Sequence, residues 1–410
     1  MNIVVMPYSH QIGSTHVLVN MGRYLQERGH NVVIVGDGPF MSFAKESGLK
    51  TDYLEEIPID YYREKTDAGK LDYFSEDEIK DNIQKETALY KKYKADLVLS
   101  TLRFTSNLST EKYGIPNIAL TYSVLTEHYA LPFIVPETHS LHKYHKCPPI
   151  MFVLNKLSGP IKKMIFTGFV KPYNKIAQEL GISTYKTFSN LYEGDHTLLF
   201  DVPEFAPVKG EPETYHYIGT VFNNISSVAP HWYEEVKKLR KTEGKQVVYL
   251  SMGSSGVLFP KIFDFLSDYI KKRNMLLIAS SCNHEVKEKY SDRKDIFLIE
   301  FASAQSMLEL SDIVLAHGGR GTMFDSITME VPMVIIPHQA EQEWNARRAV
   351  DLGFAEMVSK VHFNEDLLER ALDKILEEYD SYKRNVITMK SSFDRFDWKK
   401  VLDSIISSYC

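Results

Sequence analysis

The sequence predicts an α/β protein built from two doubly wound, Rossmann-like parallel-sheet domains that face each other. Three observations carry this prediction. Short β-branched apolar runs alternate with stretches of helical spacing, the arrangement that gives parallel strands joined by right-handed crossovers. The alternation occurs twice, with a break near Val221 to Pro230. The chain has 410 residues, whereas a single core stops growing at about 250–300 residues.

Asn2 to Met6 is the first apolar run, followed by a polar loop containing Gly13. Val17, Leu18, Met21 and Leu25 recur at helical spacing, and Arg28-Gly29-His30 closes that helix with glycine where a left-handed cap is wanted. Asn31 to Val35 is the second strand. Residues 41–92 are polar, charged and dotted with tyrosines, which predicts helices and loops rather than sheet. Ala95 to Ser100 and Ile115 to Thr121 are further buried strands. Thr197 to Phe200 and Tyr215 to Ile218 are short strands around a turn at Asp201-Val202-Pro203.

The second series opens with a helical stretch, Trp232 to Gly244. Gln246 to Ser251 then runs into Met252-Gly253-Ser254-Ser255-Gly256. Met275 to Ala279, Ile296 to Ile299, Ile313 to Ala316 and Met333 to Ile336 repeat the pattern. A last helix, Trp398 to Ser408, has no strand after it and is free to close either domain. The expected boundaries are 1–220 for the first domain, 221–244 for a linker, 245–392 for the second domain and 393–410 for the closing helix.

The composition, 44% hydrophobic, 25% charged and 12% aromatic, excludes a disordered or fibrous chain. A net charge of −6 argues against a nucleic-acid binder held by a basic face. Cys147, Cys282 and Cys410 form no CxxC pair, so neither a disulfide framework nor a cysteine-rich zinc site is expected. The first residues lack a basic n-region and read as a strand, not a signal peptide. No uninterrupted apolar run is long enough for a membrane span, and the expected compartment is the cytoplasm. Met151 to Val170 is the most apolar long region, broken by Lys156, Lys162 and Lys163. It reads as a partly buried helix pair, with a membrane-resting or greasy-ligand surface as the alternative.

The densest chemical signal runs from Asp312 to Gly353. A strand ends at Ala316, and His317-Gly318-Gly319-Arg320-Gly321-Thr322 opens a helix. Glycines let the backbone approach a bulky anion, and a helix N-terminus offers free N–H groups and a positive dipole. His317 adds a donor for a phosphate oxygen. Pro337 ends the next strand, and Glu341-Gln342 sits at its mouth, where a carboxylate and an amide suit the vicinal hydroxyls of a sugar.

This stretch resembles the donor-binding signature of family 1, UDP-glycosyltransferase-like enzymes of the GT-B fold, of the bacterial natural-product or macrolide type. That pattern runs HGGxGTxxE, then a proline, then PxxxDQxxNA. Here it reads HGGRGT, Asp325, Pro332, then Pro337 to Glu341-Gln342 and Asn345-Ala346. VVYLSMGSSG and GDHTLLFDVPEF also fit, whereas residues 55–90 and 122–190 carry no family pattern. The resemblance implies an inverting, metal-independent hexose transfer from a nucleotide diphosphate sugar, with no other cofactor; UDP-linked is preferred to TDP-linked, because Asp325 can accept from both ribose hydroxyls. It implies that Gly253 and Ser254 face the phosphates and that Phe301 and Ala302 meet the base. His317, Gly318, Gly319, Gly321 and Thr322 would hold the diphosphate, Asp325 the ribose, and Glu341 and Gln342 the sugar. The blander readings are a core role for Phe301 and a solvated helix position for Asp325.

The acceptor side departs from the family. Its usual catalytic His falls on Ser14 and the orienting Asp on Thr101. His10 and His16 flank Ser14, and either supplies a base if the loop is remodelled; His16, which starts the first helix, is preferred to His10, which lies further back in the loop, and His128 and Glu127 stand further off. The expected acceptor is a small, partly apolar molecule, aromatic or lipid-like. Two other functions stay open. One is a nucleotide-sugar-binding homologue without catalysis, and the other a nucleotide-sugar epimerase or hydrolase.

Overall fold

The computed structural model describes residues 1–67, 70–137, 139–221, 229–252, 259–280, 284–299 and 304–409. The chain forms two units. Unit 1 takes Met1–Phe133, Pro148–Phe222 and Phe393–Cys410; unit 2 takes Ile134–Cys147 and Asn223–Ser392.

Unit 1 runs β1 (Asn2–Met6), α1 (Ile12–Glu27), β2 (Asn31–Val35), α2 (Met41–Glu46), β3 (Lys50–Asp52), α3 (Ile59–Asp67), α4 (Glu76–Tyr93), β4 (Leu97–Ser100), α5 (Ser106–Tyr113), β5 (Asn117–Thr121), α6 (Pro148–Phe169), α7 (Lys171–Leu180), β6 (His196–Leu199) and β7 (Tyr215–Tyr217). The sheet order is β3-β2-β1-β4-β5-β6-β7, with every pair parallel. The central strands are apolar on both faces because helices cover both. On one side Val4, Met6, Val33 and Val98 pack with Leu89 and Tyr90 of α4. That helix starts from a capping box in which Ser75 and Glu78 exchange bonds. A second, aromatic core joins Tyr8, Tyr73, Phe104, Tyr173, Phe188 and Tyr192.

Unit 2 runs α8 (Tyr233–Glu243), β8 (Val247–Ser251), α9 (Phe259–Arg273), β9 (Leu276–Ser280), α10 (His284–Tyr290), β10 (Ile296–Ile299), α11 (Ala304–Glu309), β11 (Ile313–Ala316), α12 (Arg320–Thr328), β12 (Met333–Ile335), α13 (Ala340–Asp351), β13 (Ala355–Met357), α14 (Glu365–Glu377) and α15 (Tyr379–Phe393). Its parallel sheet has the order β10-β9-β8-β11-β12-β13. A last helix, α16 (Trp398–Ser407), buries Leu402, Ile405 and Ile406 in unit 1. There Tyr24 of α1 donates to Asp403 at 2.7 Å and meets Trp398 edge-on.

Four sequence expectations are corrected. Lys50–Asp52 is an edge strand inside a region read as free of sheet. It pairs with β2 by backbone alone, and its polar side chains carry no strand pattern. Met151 to Phe169 lies in one helix, α6, with Pro160 inside it, not a helix pair, and Val170 caps the start of α7. Residues 134–147 group with unit 2, where Trp344 Nε1 donates to the Ile134 carbonyl at 3.1 Å and the Glu137 N–H to Glu343 at 2.8 Å. The stretch read as a linker contains α8, which belongs to unit 2. Trp232 Nε1 donates to Leu298 O at 3.3 Å, and Arg240 pairs with Asp312 at 2.6 Å.

Candidate functional site

In unit 2 the strand order reverses between β8 and β11, so the loop after β11 opens at the topological switch point of the sheet. Three residues turn the chain there from β11 into α12. Gly318 has φ +85°, and a Cβ on it would stand 2.9 Å from Ile335 Cγ2 and 3.0 Å from the Gln342 carbonyl. A Cβ on Gly319 would stand 2.5 Å from His317 Nε2. Both glycines are needed for the turn to close and for the imidazole to lie against it.

Gly319 caps α12, and the first turn of that helix holds no acidic residue. Among the described residues no cap side chain takes its first N–H groups, an end that favours an anion together with the helix dipole. Gly321, in this turn, has open space where a Cβ would be. His317 is largely buried, which pushes its imidazole below the ordinary value against a hydrogen bond with the Ser251 backbone. Its Nδ1 has no partner among the described residues. A lowered imidazole favours the neutral ring, which offers one N–H donor, beside the positive end of the α12 dipole.

Asp325 lies further along α12 and is buried. Burial alone pushes its carboxyl up to about 7. Such a group is costly in an empty fold and is relieved by a ligand that donates hydrogen bonds to it. Glu341, at the start of α13, is held from two sides. Arg320 Nε reaches Glu341 Oε1 at 3.3 Å, and Asn345 Nδ2 donates to the same oxygen at 2.6 Å. Asn345 also donates to the Gly318 carbonyl at 3.0 Å, which ties this carboxylate to the glycine turn. Gln342 is buried, and its Oε1 accepts from the His338 N–H at 2.9 Å.

In unit 1 the switch point lies between β1 and β4. The loop after β1 carries Ser9 and His10; the loop after β2 carries Gly36-Asp37-Gly38. A Cβ on Gly36 would stand 2.6 Å from Ser9 Oγ, and one on Gly38 2.3 Å from the Ser9 carbonyl carbon. The two loops touch only because both residues are glycine, and that contact presents Asp37 to His10. His10 Nε2 lies 2.9 Å from Asp37 Oδ1. The other Asp37 oxygen accepts from the Glu56 N–H at 3.3 Å. Glu56 is buried and accepts from the Ser9 N–H at 2.9 and 3.0 Å and from the Ser9 hydroxyl. Burial raises the Glu56 carboxyl, against the Ser9 hydrogen bonds and the charge of Arg103.

Beside this network Pro7, Tyr8, Ile57, Phe74, Leu102 and Phe104 line a small cavity that also meets Glu56 and Arg103. Leu102, just after β4, holds φ +53°, a left-handed conformation that a leucine adopts only under constraint. His10, Asp37 and Glu56 each offer a ligand atom within 4.8 Å of one another, a spacing able to receive a cation. Both Glu56 oxygens already serve Ser9, so the group reads first as a hydrogen-bond network.

The comparisons with known proteins fall on this frame. Residues 266–397 match the model of the glycosyltransferase family 28 C-terminal domain. The chain is similar to a PGL/p-HBAD biosynthesis glycosyltransferase of Mycobacterium tuberculosis (strain ATCC 25177 / H37Ra), 21% identical over 327 residues, which are 79% of this chain and 72% of that one. The Bacillus subtilis (strain 168) protein described as an uncharacterized UDP-glucosyltransferase, YdhE, is 25% identical over 169 residues, 41% of this chain and 42% of that one. The chain is a nucleotide-sugar glycosyltransferase of the GT-B fold. Solved structures share the fold over its whole length. The calicheamicin glycosyltransferase CalG4 superposes with a TM-score of 0.73 at 15% identity, covering 100% of this chain and 98% of that one. Glycosyltransferase VinC, solved with DTDP, gives 0.71 at 16%, covering 100% and 99%.

The glycosyltransferase brings His317, Gly318, Gly319, Gly321, Thr322 and Asp325 together on one turn and one helix, with Glu341 tied to them through Asn345. Gln342 is turned inward as a support for the Pro337–Gln339 loop. Gly253, Ser254, Phe301 and Ala302 lie outside the described residues. His16 is enclosed in α1, its ring nitrogens each 3.3 Å from a backbone carbonyl, of Ile12 and of Val221. Burial lowers its imidazole. Ser14 donates to the Tyr8 carbonyl at 2.8 Å and so fastens the β1 loop. Thr101 is buried after β4. His128 lies edge-on to Tyr215, and Glu127 accepts weakly from Asn190 at 3.4 Å.

Sequence reasoning missed the roles of Asp37, Arg320 and Asn345. For Asp37 the available signal was Gly-Asp-Gly immediately after a strand; for Asn345 it was its place one helical turn after Glu341.

Proposed function

We propose that this glycosyltransferase is an inverting, metal-independent enzyme that moves a hexose from a UDP-sugar to a hydroxyl of a small, partly apolar acceptor. The observation that carries the donor half is the buried Asp325 carboxyl on the helix whose N-terminus is open to an anion. A ribose with two hydroxyls satisfies that carboxylate, while a diphosphate suits the glycine turn.

On unit 1 the base is His10. Nε2, turned to the Asp37 carboxylate, donates to it, which leaves Nδ1 to take a proton. The acceptor hydroxyl gives its proton to Nδ1 as its oxygen forms a bond to the anomeric carbon. The bond from that carbon to the diphosphate breaks on the opposite face. The leaving oxygen gathers charge, which the α12 N–H groups and the neutral His317 stabilise most in the transition state. The enclosed His16 is the weaker candidate, because its ring nitrogens face backbone carbonyls.

Calorimetric titration with UDP, 2′-deoxy-UDP and dTDP tests the donor half. UDP binding at least tenfold tighter than either analogue, about 1.4 kcal/mol, is expected. A second reading, a TDP-sugar donor, is favoured by VinC with DTDP and by spinosyn rhamnosyltransferase SpnG complexed with thymidine diphosphate. Tighter binding of dTDP would establish it. Incubation of the UDP-sugar without acceptor, with the products resolved, separates transfer from hydrolysis and epimerisation.

A further inference from the structure

The exposed apolar side chains of the described residues concentrate on α6. Ile150, Val153, Leu157, Ile161, Met164 and Ile165 are all exposed, Met164 at 69%, and Phe152, nearby on the same helix, at 68%. Spacings of three and four residues put the first six on one stripe. The opposite side is anchored: Phe166 and Phe169 pack on the aromatic core, and Ser158 Oγ donates to the Phe133 carbonyl at 2.6 Å. The stripe is therefore an outward surface of a seated helix, not a frayed segment.

Its charge is the second observation. From residue 138 to residue 178 the sequence holds seven lysines and no aspartate or glutamate, in a chain whose net charge is −6. Lys156 and Lys163 are exposed beside the apolar stripe. A greasy face bordered by lysines, on a helix of 22 residues, is the pattern that lies in a lipid–water interface. The helix is not a span, since among the described residues no helix is long and apolar enough to cross a membrane.

We infer that α6 docks this protein on an anionic lipid bilayer, its apolar stripe among the acyl chains and its lysines among the headgroups. A protein partner is less well matched, because the strip is narrow and its border carries one sign of charge. Each lysine near such a surface contributes roughly fivefold to partition.

The test is co-sedimentation of the full chain with vesicles of phosphatidylglycerol and phosphatidylcholine in equal parts, against phosphatidylcholine alone. Wild type is expected to pellet with the anionic vesicles and much less with the neutral ones. Met164→Glu with Val153→Ser should abolish pelleting. Lys156→Glu with Lys163→Glu should weaken it by at least about 25-fold and leave residual binding that falls with salt. UDP binding and far-UV circular dichroism, unchanged in all variants, show that fold and donor site are intact. The inference is overturned by no pelleting of wild type with anionic vesicles, by pelleting that survives both pairs of substitutions, or by an α6-dependent dimer without vesicle binding. Apolar-stripe variants that raise acceptor KM while pelleting normally would make the stripe an acceptor wall instead.

Discussion

His10 and Asp37 stand 27 positions apart in the chain, yet Nε2 of one meets Oδ1 of the other at 2.9 Å. The pair exists because parallel pairing of β1 with β2 brings their C-terminal loops side by side. Gly36 and Gly38 let those loops touch. An imidazole held by a carboxylate at the mouth of a parallel sheet is fixed in tautomer and direction, which is what a general base requires.

His10→Ala is expected to lower kcat by about 10²–10⁴ with little change in donor affinity. Asp37→Asn should cost less, about tenfold, because the imidazole remains and loses only its orientation. Single-turnover rates with an alcohol acceptor measure both. A His10→Ala enzyme that keeps more than about a tenth of wild-type turnover would remove His10 from the reaction.

His317→Ala should reduce kcat far more than it weakens UDP binding. Charge grows on the diphosphate only as the bond to the sugar breaks, so a donor placed there acts mainly on the transition state. Unchanged kcat with a raised KM would assign the ring to ground-state anchoring.

Asp325 makes folding depend on pH. Its carboxyl titrates near 4 in an unfolded chain and at about 7 in the fold, raised by burial. Between these values the folded state binds more protons, so stability is highest on the acid side and falls as pH rises through that window. Asp325→Asn should therefore raise stability by about 2–4 kcal/mol near pH 8 and by little near pH 4. Urea denaturation at both pH values measures it. The same variant should lose UDP affinity by about 1–3 kcal/mol, because the amide no longer accepts as a charge.

Gly318 and Gly321 should part company. Gly318→Ala meets Ile335 and the Gln342 carbonyl and forces a side chain into φ +85°, so it should destabilise by about 2–3 kcal/mol. Gly321→Ala meets nothing in the protein and sits in a helix, so stability should hold or rise by up to about 1 kcal/mol. A loss of UDP affinity in Gly321→Ala without a loss of stability would mark where the diphosphate rests. Thermal melts with and without UDP distinguish the two.

Much of the fold was legible because buried parallel strands write themselves as short apolar runs. Ile296–Ile299 and Ile313–Ala316 were found to the residue. β3 and β13 were not, since Lys-Thr-Asp and Ala-Glu-Met are three-residue edge strands held by backbone pairing to one neighbour. The glycine turn of α12 was legible because its parts are contiguous. The His10–Asp37 pair was not, because only the sheet order makes those loops neighbours. Nor could sequence tell that His16 is sealed in, since the carbonyl that meets its Nε2 belongs to Val221, 205 residues away.

The return of α16 to unit 1 bears on engineering. Unit 1 is assembled from three pieces of chain and unit 2 from two. A hybrid made by joining the first half of this chain to the second half of another would leave Tyr24 of α1 without Trp398 and Asp403. It would also separate residues 134–147 from Trp344 and Glu343. Exchanging unit 1 here therefore means transplanting the tail with the head and keeping the 134–147 excursion native to unit 2.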